Sequence, residues 1–394
     1  MFEGINAWFA VRDIFTDILR DPVLHLPCLV IDALDECQTG RPQLLDLIVF
    51  TSATFRVKWL VSSRNWSDIE EKLAQVAQPL SLELNAASVS AAVQLYIQQK
   101  ARCLAETKKY DDKTTAQVTG YLSSNARDTF LWVALVCRSL EKVHRFKAVR
   151  TLQSFPAGLD ALYGRMMKQI RAMEDPDDVR LCLQILSVAS TVYRPVVLDE
   201  LGPLIDCPRE YESLASSQID NSWLTHYIGL CGSFLAIRER TVSFVHQSAK
   251  EFTCSQSLNN EFLQIFPRTV GDVHHMLFSK SLQLLSQTLR RDMYQLSNPG
   301  TLVKNVIPPS PNPLASATYS CLYWVDHLLD AHPIYVRTDD LQDGGNVHRF
   351  LYDGYLYWLE ALSLVQDLAK GILAVESLHR LLQVGLVWIT YVFR

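Results

Sequence analysis

The first 85 residues alternate between helical and strand-like patterns of apolar positions. Apolar side chains at a spacing of three to four residues predict amphipathic helices. Short, partly β-branched apolar runs bounded by polar residues are typical of strands buried on both faces of a parallel sheet. These patterns predict helices at residues 5–19 and 42–50, and strands at 26–31, 57–62 and 80–84. Such an alternation favours an α/β fold.

Beyond residue 85 the pattern becomes mostly helical. Helical periodicity recurs at 88–104, 113–124, 130–143, 159–173 and 179–191, and again within 270–330 and 347–382. A short helix predicted at 198–205 is followed by a hairpin-like stretch at 234–245, and this combination indicates a winged-helix module. We therefore expect four regions, at residues 1–85, 86–195, 196–256 and 257–394.

Composition narrows the class of protein. Only 15 Gly and 16 Pro occur in 394 residues, which favours long helices over an all-β architecture. The chain has 37 basic and 42 acidic residues, a formal net charge of −5. This balance is too acidic for non-specific nucleic-acid binding through counterion release, so we expect no nucleic-acid partner.

Cysteine usage and hydropathy indicate the compartment. The nine cysteines are scattered singly with no C-x-x-C pair, which predicts neither a disulfide framework nor a zinc site. No apolar run approaches the roughly 18 residues that a membrane span needs, and the first residues do not resemble a signal peptide. We expect a cytoplasmic protein with no membrane partner.

Polar residues that follow the first two predicted strands carry the candidate chemistry. Asp32 stands at the carboxyl end of the first strand, and Asp35 and Glu36 follow in the next turn. Ligands bind at this edge of an open parallel sheet. A carboxylate there can hold hydrated Mg²⁺ against nucleotide phosphates, while a second acid orients the attacking water. Arg64, after the second strand, could contact a terminal phosphate.

Structural interpretations of the same residues stay open. The three acids could simply cap a solvated loop near a helix N-terminus. Arg64 could form a surface ion pair with Asp68 or Glu70. A metal-dependent hydrolase using the three acids is less favoured, because no neighbouring acid or histidine completes a two-metal set.

Other conspicuous side chains are expected to be structural. Aromatic residues at 321–328 and 354–362 recur at helical spacing and are predicted to lie in the core. The adjacent His274 and His275 should point to different faces of a helix, which argues against a shared metal. The basic pairs at 108–109 and 290–291 are expected to be solvated.

Six segments occur in the order and spacing of a known family. They read LVIDALDEC, KWLVSSRNW, NARDTFLWVALVCRSLEKV, FPAGLDALYGRMMKQI, YRPVVLDELGPL and SFVHQSAKEF. Over about residues 5–380 the chain resembles fungal NACHT-type STAND NTPases, relatives of animal NLR proteins and of fungal vegetative-incompatibility proteins. The resemblance implies a switch driven by ATP or GTP with Mg²⁺, built from an effector domain, a NACHT core, a winged helix and C-terminal repeats. It also implies partners, namely full-length NACHT relatives or further copies of the chain on activation.

The resemblance assigns roles to individual residues. Asp32 would be the Walker B acid that associates with Mg²⁺, and Asp35 and Glu36 the hydrolytic acids. Arg64 would be the first sensor of the nucleotide. His246, in the SFVHQSAKEF segment, would contact the bound diphosphate and hold the inactive state.

The chain also departs from the family pattern. A P-loop needs Gly-Lys followed by Ser or Thr, and no Gly-Lys dipeptide occurs here. Asp128 stands where the family usually has glycine. We therefore expect a shortened chain with an incomplete P-loop NTPase sheet of α/β type, followed by mostly α-helical modules that include a winged helix. Nucleotide binding should be impaired and hydrolysis absent. The predicted function is a fragment of a nonself-recognition or cell-death switch, with a nucleotide-independent scaffold or decoy that binds full-length relatives as the alternative.

Overall fold

The computed structural model describes most of the chain and divides it into two compact units. The described residues are 7–37, 40–64, 67–74, 76–77, 86–206, 221–257, 269–296, 301, 306–331 and 338–392. The first unit comprises Met1–Ala91 and the second Ala92–Arg394. The strand predicted at 80–84 lies outside the described residues.

The first unit is a small α/β arrangement. Its elements are helix α1 (Ala7–Leu19), strand β1 (Cys28–Ile31), a 3-10 turn (Leu34–Glu36), helix α2 (Arg41–Thr54), strand β2 (Lys58–Val61) and helix α3 (Ser67–Leu73). The two strands pair in parallel, with Cys28 opposite Lys58 and Ile31 opposite Val61. Both helices and both strands predicted before residue 63 are therefore confirmed.

Each strand of this sheet buries one face. Leu34, Leu45, Ile48 and Ile69 form a small core, against which alternate strand residues such as Trp59 pack. On the other face, Val30 is 65% exposed and Leu60 is 63% exposed. The prediction that these strands are buried on both faces is wrong for the described residues, because a continuous apolar run does not reveal whether a second layer covers it.

The second unit is predominantly helical. Helix α4 (Ala86–Lys108) begins before the boundary at residue 91 and continues past it. The helices that follow are α5 (Asp112–Asn125), α6 (Phe130–Glu141), α7 (Ala148–Leu152), α8 (Leu159–Arg171) and α9 (Pro176–Thr191), with a 3-10 turn at Arg145–Lys147. The five helices predicted between 88 and 191 are confirmed. Two begin at aspartate caps, since Asp111 accepts a hydrogen bond from the Thr114 amide at 2.9 Å and Asp175 from the Asp177 amide at 2.8 Å.

A three-stranded antiparallel sheet with flanking helices follows. Its elements are β3 (Val196–Val197), α10 (Leu198–Leu204), α11 (Ser222–Leu230), β4 (Leu235–Arg238), β5 (Thr241–Phe244) and α12 (Gln247–Ser257). Strand β5 lies between β3 and β4. Glu239 and Arg240, which join β4 to β5, both have positive φ, as tight two-residue hairpin turns require. The predicted hairpin is confirmed.

The last helices form an aromatic core. They are α13 (Val270–Thr288), α14 (Thr318–Asp330), α15 (Thr338–Leu341), α16 (Asn346–Leu364) and α17 (Leu368–Val392). Trp324 and Trp358 are fully buried, with ring centroids 5.5 Å apart, which confirms the predicted aromatic core. None of the helices in the described part of the chain combines the length and apolarity that a membrane span requires.

Candidate functional site

Backbone hydrogen bonds join the loop after β1 to the end of β2. The Ser62 amide donates to the Ile31 carbonyl at 2.9 Å, and the Leu34 amide donates to the Ser62 carbonyl at 2.9 Å. These bonds extend the parallel pairing past the strand ends. The polar residues that follow the two strands consequently share the carboxyl edge of the sheet, where the sequence places them.

Asp32 is an exposed carboxylate that a serine orients. The Ser62 hydroxyl donates to Oδ1 of Asp32, and the Ala33 amide donates to Oγ of Ser62 at 2.8 Å. Among the described residues, Oδ2 of Asp32 has no hydrogen-bond partner. Exposed carboxylate and hydroxyl oxygens are the hard donors that Mg²⁺ prefers, so Asp32 and Ser62 fit a hydrated magnesium ion.

Asp35 and Arg64 bind each other. Oδ1 of Asp35 accepts a hydrogen bond from the Arg64 amide at 3.1 Å, and Oδ2 lies 3.4 Å from Nε of Arg64. The Asp35 side chain is only 7% exposed. The ion pair left open for Arg64 thus involves Asp35, while Asp68 pairs with Arg41 at 3.0 Å. Asp35 ties the loop after β1 to the end of β2.

Glu36 is the last of the predicted acidic residues at this edge of the sheet. Glu36 ends the 3-10 turn with an exposed side chain. Within the described ranges, no group of three or more His, Cys, Asp or Glu side chains could hold a metal ion together. A magnesium ion at Asp32 would therefore need water and phosphate oxygens as its remaining ligands, the usual arrangement for nucleotide-bound Mg²⁺.

His246 lies in the second unit, directly after β5 and before α12. Its Nδ1 accepts a hydrogen bond from the Ser248 amide at 3.1 Å and lies 2.8 Å from the Ser248 hydroxyl. That hydroxyl lies 3.0 Å from the buried Tyr163 hydroxyl of α8. Because Nδ1 is the acceptor, this network assigns the proton of the neutral ring to Nε2. The exposed His246 can therefore offer Nε2–H to an anion.

The structure brings four of the five predicted residues to one edge. Asp32, Asp35, Glu36 and Arg64 meet at the carboxyl ends of β1 and β2, and His246 belongs to the other unit. The sequence analysis missed Ser62, which orients Asp32. Its signal was the pair of serines that directly follows the second strand.

Comparisons with known proteins place this geometry in context. A family model described as Nephrocystin 3, N-terminal, matches residues 5–64, which include all four residues of the sheet edge. Over 97% of its length the chain is 49% identical to vegetative incompatibility protein HET-E-1 of Podospora anserina. The chain is similar to a fungal incompatibility protein. It spans only 29% of HET-E-1. No solved structure matched.

Proposed function

We propose that this chain is the switch portion of a NACHT-type nonself-recognition regulator of the kind that HET-E-1 represents. The observation that carries the proposal is the 49% identity over 97% of the chain. The order of the six motifs supports the assignment to the NACHT class. The helix–sheet segment from β3 to α12 would be its winged helix.

The sheet edge would hold the phosphates of ATP or GTP together with Mg²⁺. A magnesium ion there would neutralise phosphate charge. Ser62 fixes the carboxylate of Asp32, so this ligand is oriented before the nucleotide arrives. Glu36 is exposed on the following turn, where it could orient a water molecule. Asp35 holds Arg64 at the same edge.

Within the second unit, His246 would be a separate candidate phosphate contact. Its Nε2–H can donate to a phosphate oxygen while Ser248 fixes Nδ1. The contact needs no protonation of the ring, because Nε2–H of the neutral imidazole is the donor. Loss of this contact when the nucleotide changes is how the switch would be released.

Nucleotide binding should be weak and hydrolysis absent. The sequence contains no Gly-Lys dipeptide, whereas a P-loop uses its backbone amides and this lysine to cradle the β- and γ-phosphates. The remaining contacts come from Asp32, Arg64 and His246. We expect the diphosphate and triphosphate to bind with similar, low affinity.

Equilibrium titration with labelled ATP and ADP in Mg²⁺ tests this proposal. We expect measurable binding that falls about tenfold in Asp32→Ala and in His246→Ala, as loss of one charge-assisted contact predicts. Matched controls are Asp13→Ala, at another exposed aspartate, and His348→Ala, at another exposed histidine; both should bind as the wild type does. No binding by a folded wild-type chain would contradict the nucleotide switch.

Exposed apolar residues favour a second candidate, a scaffold that binds full-length relatives or another copy of the chain. In the first unit, Val30 and Leu60 are exposed on the free sheet face, and Phe9 and Ile18 of α1 are 52% and 53% exposed. Such surfaces usually meet a partner. Light scattering across a range of concentrations tests this function. Association that disappears in Leu60→Lys but persists in the control Leu356→Lys would support it, and a monomer at all concentrations that binds no relative would contradict it.

A further inference from the structure

An exposed phenylalanine projects from the turn between α6 and α7. Phe146 is 79% exposed at the centre of the 3-10 turn Arg145–Lys147. The guanidinium of Arg145 lies 4.6 Å from the centre of its ring. The centre of the His144 ring lies 5.2 Å from that of the Phe146 ring, but most of the phenylalanine surface is exposed and is available to a partner.

Exposed basic side chains occur on and beside the α6–α7 turn and on the α4–α5 turn. The exposed members are Lys109, Lys142, Arg145, Lys147 and Arg150. Nη1 of Arg145 lies 3.5 Å from the Lys109 carbonyl, which places the turn between α4 and α5 beside the α6–α7 turn. In the described part of the chain, no carboxylate lies within 4.0 Å of these five cations in an ion pair. We call these five residues and Phe146 the basic tip.

A backbone hydrogen bond and buried neighbouring residues fix the conformation of the turn that carries Phe146. The Lys147 amide donates to the His144 carbonyl at 2.8 Å, which closes the turn. On either side, Leu140 of α6 and Ala148 of α7 are fully buried. The turn is therefore presented in a fixed conformation. The whole chain has a net charge of −5, so this positive concentration does not follow from overall composition.

We infer that the basic tip binds the surface of an anionic lipid bilayer. Phe146 enters the interface between headgroups and acyl chains, where an aromatic ring loses water without losing a hydrogen bond. The lysines and arginines of the basic tip reach lipid phosphates and carboxylates. This inference revises the expectation of no membrane partner and is independent of the proposed nucleotide site.

Cations and an aromatic ring can also bind single-stranded nucleic acid, but such a site needs a continuous basic groove and aromatic rings with exposed faces. Arg145 already covers one face of Phe146. The neighbouring cleft between α4 and α5 is lined by Glu106 and Asp112 as well as Arg102. Those carboxylates interrupt the continuous basic surface that a nucleic-acid strand would follow, whereas a bilayer needs contact only at the tip. A single exposed apolar side chain beside several exposed cations therefore favours a lipid surface.

Sedimentation with vesicles tests the inference. The full chain is mixed with phosphatidylcholine vesicles that contain or lack phosphatidylserine, at about 0.1 M salt, where surface charges still act over roughly 10 Å. The test variants are Phe146→Ser and the triple variant K142E/R145E/K147E. The controls are Tyr352→Ser, which removes another exposed aromatic ring, and R290E/R291E, which reverses another exposed basic pair.

Binding should require phosphatidylserine and weaken as salt rises. We expect Phe146→Ser to lower the apparent affinity about tenfold, because burial of one aromatic ring is lost. The triple variant should not bind, and both controls should bind as the wild type does. Circular dichroism and thermal unfolding verify that each variant is folded.

Three results would overturn the inference. A folded wild-type chain could fail to sediment with phosphatidylserine vesicles. The Tyr352→Ser control could lose as much affinity as Phe146→Ser, which would indicate non-specific adsorption. Finally, a single-stranded oligonucleotide could bind the basic tip while vesicles do not, which would assign the surface to nucleic acid.

Discussion

Two consecutive residues, Arg127 and Asp128, hold left-handed backbone conformations, with φ of 47° and 53°. Residues with a Cβ pay roughly 1 kcal/mol or more for this conformation, and aspartate tolerates it better than most. The family that the chain resembles usually has glycine in place of Asp128. The structure therefore supplies a physical reason for that glycine, since position 128 keeps the conformation that glycine favours.

Replacement of Asp128 by glycine should stabilise the protein. We expect Asp128→Gly to raise the free energy of unfolding by about 1 kcal/mol, because the strain of a left-handed aspartate is removed. The control Asp177→Gly, in the first turn of α9, should lower it by roughly 0.5–1 kcal/mol, since glycine weakens a helix. Urea titration measures both. A lower free energy of unfolding for Asp128→Gly would contradict this account of the turn.

A buried histidine pair should make stability depend on pH. Nδ1 of His274 lies 2.8 Å from Nδ1 of His327, and Nε2 of His327 lies 2.8 Å from the Tyr319 hydroxyl. Burial lowers the pKa of His327 well below its usual value of 6.5, and it lowers the pKa of His274 as well. Tyr193, which donates a hydrogen bond to Asp330 at 2.5 Å, packs against both rings.

The sign of this dependence follows from proton binding. Below pH 6.5 the two histidines bind protons in the unfolded chain but stay neutral in the folded protein. The free energy of unfolding therefore decreases as the pH falls from 6.5 toward the lower pKa values of the folded state. We expect His327→Asn to flatten this part of the stability profile in urea titrations. His348→Asn, at an exposed site, should leave the slope as it is. An unchanged profile in His327→Asn would refute the assignment.

The loop after β1 depends on Asp35 for its attachment to β2, whereas Asp32 faces solvent. We expect Asp35→Ala to lower the free energy of unfolding by about 1–3 kcal/mol, because the Arg64 amide and guanidinium lose their acceptor. Asp32→Ala should change it by no more than about 0.5 kcal/mol. Hydrogen exchange of the β2 amides reports the local effect. Equal destabilisation by the two substitutions would contradict this division between a structural and a ligand-facing acid.

The sequence pattern predicted the helices and strands, but it did not predict contacts between residues that are far apart in the chain. The helical periodicity and the apolar runs identify β1, β2 and the hairpin, because these depend on neighbours in the chain. The placement of Asp32 at a sheet edge follows from strand direction alone. The hydrogen bond between Tyr163 and Ser248, which supports His246, joins residues 85 positions apart. No periodicity encodes such a pair, and none reveals which sheet face is left uncovered.

At the scale of the molecule, the similarity to HET-E-1 extends over 97% of the chain and so includes residues of both compact units. The proposed switch assigns one phosphate ligand group to each unit: Asp32 and Arg64 to the first, and His246 to the second. A nucleotide bound at the sheet edge would shift the first unit between two states only by its differential affinity for those states. Binding of a nucleotide at this edge is the central claim for the proposed function.

Hydrogen exchange with and without Mg²⁺ and ADP tests that claim most directly. The account predicts slower exchange in the loop at 32–36, with this effect lost in Asp32→Ala. Amides of α6, which has a buried core face, should exchange equally slowly in every sample and so confirm that the chain is folded. Unchanged exchange in this loop at saturating ADP would contradict the nucleotide-dependent switch.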